Sequence, residues 1–176
     1  MKMYWPCQYY AIIKLIPSGR QVMRVHEYRF LFGPLPSRRL GLSLGVSPVP
    51  EKYCNYSCVY CQLGRTPKLQ KSGGMYFPVA DILAEFTEFL KSGMNFDVLT
   101  VVGEGEPTLY EGLAKLLAGL KTMTDKPVAV ITNGSLLPRQ EVRGALQKAD
   151  LVIPSLDAYD EESFKKINRP LKSITF

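Results

Sequence analysis

Three of the four cysteines fall within one short run, Cys54-Asn55-Tyr56-Ser57-Cys58-Val59-Tyr60-Cys61. Three thiolates on one loop can hold three irons of a four-iron cluster and leave the fourth iron open. A structural zinc or a closed cluster wants four ligands. Spacing of i, i+4 and i+7 could also line one helical face, but Asn55, Ser57, Gln62 and Gly64 make a poor buried helix. A zinc or other metal site stays open beside the cluster reading. Cys7 lies far away in sequence and reads as a bystander thiol.

Other polar segments with chemical capability recur at regular intervals, and each follows an apolar run. The cysteine loop follows Leu42–Val49, and Gly103-Glu104-Gly105-Glu106-Pro107 follows Val98–Val102. Asn133-Gly134-Ser135 follows Val128–Thr132, and Ser155-Leu156-Asp157 closes Leu151–Leu156. These apolar runs read as strands, and amphipathic helices separate them. Ile82, Leu83, Phe86, Phe89 and Leu90 form one stripe in a helix opened by Pro78 and ended by Ser92-Gly93. Leu113, Leu116, Leu117 and Leu120 mark a second helix, and Val142, Leu146 and Ala149 a third, begun by Pro138. A short fourth helix is expected from about Asp160 to Ile167. Alternation of this kind predicts an α/β fold with a parallel sheet and about four βα units. In such sheets ligands bind at the carboxyl ends of the strands, so the four polar segments should meet on one rim.

A chain of 176 residues with 46% hydrophobic content can fill one core. No apolar run reaches the length needed to span a bilayer, and the amino terminus makes a poor signal peptide. The expectation is a cytoplasmic protein, in which clustered cysteines mean metal or catalysis rather than disulfides. The net charge of +6 is confined to residues 1–53, which carry eight Lys/Arg against two Asp/Glu, while the remainder is balanced. A solvated basic face explains this, and an RNA-type polyanion is the alternative. Residues 1–27 hold Trp5, Cys7 and His26 without a regular period and read as an amino-terminal extension, with Met23 as a second start.

The C-x3-C-x2-C spacing with Tyr60 before the last cysteine resembles the signature of the radical S-adenosylmethionine (SAM) enzymes. Phe32–Gly41, the loop through Thr66, Gly103–Leu109, Ile131–Leu137 and Pro154–Asp157 resemble a subgroup of Fe–S oxidoreductases related to wyosine-base tRNA-modification enzymes. The likeness implies a partial (β/α) barrel over residues 28–176, incomplete at its carboxyl end because relatives build about six units. It also implies a [4Fe-4S] cluster on Cys54, Cys58 and Cys61 and SAM as second cofactor. SAM contacts are expected from Tyr60 near the adenine, from Gly105, Glu106 and Pro107 at the amino group, and from Asn133, Ser155 and Asp157. The implied activity is reductive SAM cleavage to a 5′-deoxyadenosyl radical that abstracts hydrogen from an unidentified substrate, tRNA being one class. A one-electron reductant of flavodoxin or ferredoxin type is the implied partner, together with a partner chain or self-association that completes the barrel. Two alternatives stand beside this: a zinc- or Fe–S-binding, RNA-directed module without catalysis, and an inactive truncated fragment.

Overall fold

A computed structural model of the chain describes residues 28–176. The sequence features noted at Trp5, Cys7, Met23 and His26 lie outside the described residues.

Five strands form one sheet in the order β1-β2-β3-β4-β5, namely Leu31–Ser37, Gly41–Val46, Val98–Val101, Val128–Thr132 and Leu151–Pro154. Strands β2 to β5 pair in parallel, each beside its successor in sequence. Between them run α1 (Val79–Lys91), α2 (Leu113–Met123) and α3 (Gln140–Leu146), and α4 (Glu161–Ile167) follows β5. Four βα units in sequential order are the arrangement of a partial (β/α) barrel. The expected all-parallel sheet needs one correction. β1 pairs antiparallel with β2, because a turn as short as Arg38–Leu40 can only reverse the chain. The run Leu31–Ser37 lacks regular alternation and carries two prolines, so its strand character was not visible in sequence.

Registry sorts the two faces of the sheet. Leu44, Leu99 and Val128 lie in one row and Val46, Val101 and Val130 in another, all buried in the main core. The intervening row is Gly45, Thr100, Ala129, with Ser43 Oγ 2.7 Å from Thr100 Oγ1. One face is therefore large and apolar, the other small and partly polar, as period-2 alternation demands. The helices between the parallel strands pack on the apolar face. There α1 buries Ile82, Phe86 and Phe89, and α2 buries Leu113, Leu116, Leu117 and Leu120. The expected α1 stripe is narrower than its sequence: Leu83 is half-buried and Leu90 exposed. Pro78 sits at the N-cap, one residue outside the helix, and Gly93 at φ +70° turns the chain after Ser92.

The edge strand β5 leaves Leu151 and Val152 exposed. Helix α4 packs elsewhere, with Phe164 and Ala158 buried against Tyr56 of the cysteine loop. The expected short fourth helix is present, but it does not cover the sheet's main core. It serves instead as a wall for the loop, and nothing in its periodicity distinguishes the two uses.

One side chain ties the outer strand to the helical layer. The Glu85 carboxylate accepts hydrogen bonds from the backbone N–H groups of Arg29 (3.0 Å), Phe30 (2.7 Å) and Leu31 (2.9 Å). Glu85→Ala should cost about 1–3 kcal/mol, the penalty of unpaired, partly buried amides. Lys91→Ala, which removes a solvent-exposed ion pair to Glu88, should change stability by about 0.5 kcal/mol or less. Urea denaturation of both variants checks the contrast.

Candidate functional site

The loop that carries Cys54, Cys58 and Cys61 has almost no regular secondary structure, so neighbouring segments must supply its hydrogen bonds. On one side stands the segment after β3. Lys52 N–H donates to Glu104 O (2.7 Å), and Glu106 N–H donates to Tyr53 O (2.9 Å). On the other side stands the end of α4. Ser57 N–H donates to Asn168 O (3.1 Å) and Val59 N–H to Ile167 O (2.8 Å), while Leu171 N–H donates to Asn55 O (2.9 Å). Within the loop, the Thr66 hydroxyl donates to Tyr56 O (2.9 Å), and Ser57 Oγ accepts from Thr66 N–H (3.0 Å).

All three cysteines are free thiols, each partly exposed. Two of them receive N–H donors. Tyr56 N–H (3.4 Å) and Asn133 Nδ2 (3.7 Å) point at Cys54 Sγ, and Asn168 Nδ2 (3.6 Å) points at Cys58 Sγ. Burial pushes the Cys54 thiol up to about 12, against the pull of these donors, so in the metal-free protein it keeps its proton. Among the described residues no three His, Cys, Asp or Glu side chains gather closely enough to hold a single metal ion. In an iron–sulfur cluster each thiolate binds a different iron, so such donors need not converge on one point. Three accessible thiols on one loop, two with amide donors on sulfur, fit that group.

The Gly-Glu-Gly-Glu-Pro segment packs tightly beneath the loop. A Cβ at Gly105 would lie 2.1 Å from Tyr53 O and 2.6 Å from its carbonyl carbon, so only glycine allows this approach. Glu106 is fully enclosed. Its Oε1 accepts from Thr108 N–H (3.0 Å), Thr108 Oγ1 (2.5 Å) and Thr132 Oγ1 (2.6 Å), and its Oε2 accepts from Asn133 N–H (2.7 Å). Burial raises its pKa, opposed by these four donors. The carboxylate thus clamps the ends of β3 and β4 together, and its acceptor capacity is spent on protein groups. Pro107 is buried in the short turn that follows.

Asn133 sits between the segments. Its Nδ2 also donates to Asn55 Oδ1 (2.8 Å), and Asn55 Nδ2 reaches Ser135 Oγ (2.7 Å). Tyr60 projects from the loop with an exposed ring, and its hydroxyl donates to Asp157 Oδ2 while accepting from Asn168 Nδ2 (3.2 Å). Burial and the bond to Asp157 hold the Tyr60 phenol well above the ordinary tyrosine range. Ser155 is exposed, and its backbone N–H donates to Thr132 O (2.9 Å). The structure thus joins Asn133, Glu106 and the cysteine loop directly, and Asp157 through Tyr60. Ser155 stands at the β5 end, and among the described residues no side-chain hydrogen bond links it to the others. Sequence reasoning did not anticipate Thr108, Thr132, Asn55 or the sulfur contact of Asn168. Asn168 is the C-cap of α4, and Arg169 beside it is exposed.

Comparison with known proteins matches residues 50–175 to the model of the Radical SAM superfamily. A protein named GTPase Obg from Brachyspira hyodysenteriae is 50% identical over 146 residues, 83% of this chain and 22% of that protein. A UPF0026 protein from Methanocaldococcus jannaschii is 43% identical over 145 residues, 81% of this chain and 45% of the relative. A probable GTP 3',8-cyclase from Saccharolobus islandicus is 32% identical over 115 residues, 65% of this chain and 35% of the relative. The chain spans about half or less of the length of these relatives.

Gly105→Ala should force the backbone of Tyr53 away, break the Glu106–Tyr53 bond and cost about 1–3 kcal/mol. Its iron uptake should fall along with its stability, whereas Gly144→Ala, inside α3 with open space around it, should keep iron uptake and raise stability by up to about 1 kcal/mol. Denaturation midpoints and iron content after anaerobic reconstitution read the difference.

Proposed function

Because the chain belongs to the radical SAM superfamily, we propose that it binds a [4Fe-4S] cluster through Cys54, Cys58 and Cys61 and cleaves SAM reductively. The observation that carries this reading is the donor set itself: three free thiols on one loop, with amide donors aimed at Cys54 and Cys58. When bound, the cluster and SAM supply one-electron cleavage to methionine and a 5′-deoxyadenosyl radical that takes a hydrogen from substrate.

The chain's own residues bind and orient. The three cysteines would hold the cluster and leave one iron open to SAM. Gly105 and Pro107 offer backbone to the ammonium, and Glu106 fixes that backbone from behind. Tyr60 is assigned to the adenine side, where Asp157 and Asn168 hold its hydroxyl. Asn133, Ser155 and Asp157 are assigned to the ribose and methionine carboxylate. A flavodoxin- or ferredoxin-type donor in the reducing cytoplasm would supply the electron. The exposed β5 edge is the place for a further strand from a partner chain or a second copy. Among the described residues no helix is long and apolar enough to cross a membrane.

A nucleotide-class substrate, with a tRNA base as the wyosine-type case, is supported by the likeness to the probable GTP 3',8-cyclase. Cys58→Ala should lose most of its iron and sulfide and all 5′-deoxyadenosine formation, while Cys7→Ala should keep both. Full iron content in Cys58→Ala would count against the assignment, and so would zinc without sulfide in anaerobically purified wild type.

A further inference from the structure

Lys52 carries two costs that its surroundings do not repay. Its backbone lies in the left-handed region at φ +63°, which is unfavourable for a side-chain-bearing residue. Its Nζ is buried without a hydrogen-bond partner among the described residues, and none of the ion pairs there includes it. An ammonium out of water with no acceptor is an expensive arrangement. The position is nonetheless firmly held, since Lys52 N–H donates to Glu104 O at 2.7 Å.

The side chain leads from this pinned backbone to the cysteine loop. A Cβ built at Gly64 would lie 3.6 Å from Lys52 Nζ, and Gly64 N–H donates to Cys61 O at 2.8 Å. The ammonium therefore sits beside Gly64, the residue that closes the turn begun at Cys61. The nearby acidic residues leave it unanswered. Glu106 is filled by protein donors, and Glu51 and Glu104 are exposed. A buried cation lacking an anion, placed against a loop of thiols, matches a group that brings negative charge when it assembles there.

We infer that Lys52 is the counter-charge of the cysteine-bound cluster and favours its reduced state. This rests on the cluster reading proposed above. In the redox step one electron passes from a low-potential donor to the iron–sulfur core, and no bond forms or breaks. Core plus three thiolates is anionic when oxidised and gains one further negative charge on reduction. A fixed cation nearby stabilises the reduced form more, and burial keeps that attraction from being screened.

The test compares wild type, Lys52→Met and Lys52→Arg, with and without the cluster. In the metal-free protein Lys52→Met removes an uncompensated charge while keeping the stem, so its denaturation midpoint should rise. In the reconstituted protein, titrated with dithionite under EPR without SAM, the reduction equilibrium of Lys52→Met should fall about tenfold, equal to about 59 mV for one electron. Lys52→Arg should stay near the wild type. An unchanged potential in Lys52→Met overturns the inference, as does a lowered metal-free midpoint, which would make Lys52 a packing residue. A shift seen only with SAM present also overturns it and assigns the ammonium to the SAM carboxylate. If Lys52→Met takes up no iron, a loaded Lys52→Arg supports the counter-charge and an empty one overturns it. Wild-type protein that takes up no iron and sulfide defeats the cluster reading instead, an outcome distinct from these.

Discussion

Everything at this site depends on how an irregular loop satisfies its backbone. Residues 54–66 form neither a helix nor a strand, so their amides and carbonyls must be paired one by one. The partners come from both sides. Glu104 and Glu106 hold the approach to the loop, while Ile167, Asn168 and Leu171 hold its centre. These segments are distant in sequence and meet only because parallel strands end on the same rim. The sheet's role is to bring the chain ends of β3, β4 and α4 within hydrogen-bond reach of the loop that carries the cysteines. Its apolar rows, Leu44-Leu99-Val128 and Val46-Val101-Val130, make that rim rigid.

Two ionisable groups near the loop, the Glu106 carboxylate and the Lys52 Nζ, are buried and treated in opposite ways. Glu106 is enclosed with four donors, and its charge is spent on joining two strand ends. The Nζ of Lys52 is enclosed with none among the described residues. The first is what a structural clamp requires, because a carboxylate so fully bonded tolerates burial. The second is a local conflict, and such conflicts are where a fold yields stability to function. The sulfur contacts point the same way. Asn133 and Asn168 spend amide donors on Cys54 and Cys58, weak partners in a metal-free protein and good ones for metal-bound thiolates.

The cysteine trio and the strand–helix alternation were legible from residue types and periods. β3, β4 and the buried positions of α2 fall where the apolar runs place them. Their signals are strong because each is a continuous buried run or a full helical stripe. The hairpin strand β1 was not legible, since its prolines and a glycine mask any alternation. Nor was the destination of α4, because amphipathic spacing names a buried face without naming what buries it. Roles that depend on direction were hidden too. Gly105 could be read as a site of close approach, but the backbone it meets is that of Tyr53. The Glu106 carboxylate could be read as an acceptor, yet Thr108 and Thr132, the donors that fill it, looked like ordinary strand and turn residues.

The most direct measurement is the EPR spectrum of the anaerobically reconstituted, dithionite-reduced protein before and after SAM is added. A three-thiolate cluster with an open iron predicts a four-iron signal whose shape changes when the amino and carboxylate groups of SAM reach that iron. A signal from a four-iron cluster that SAM leaves untouched, or no cluster signal at all, would contradict it.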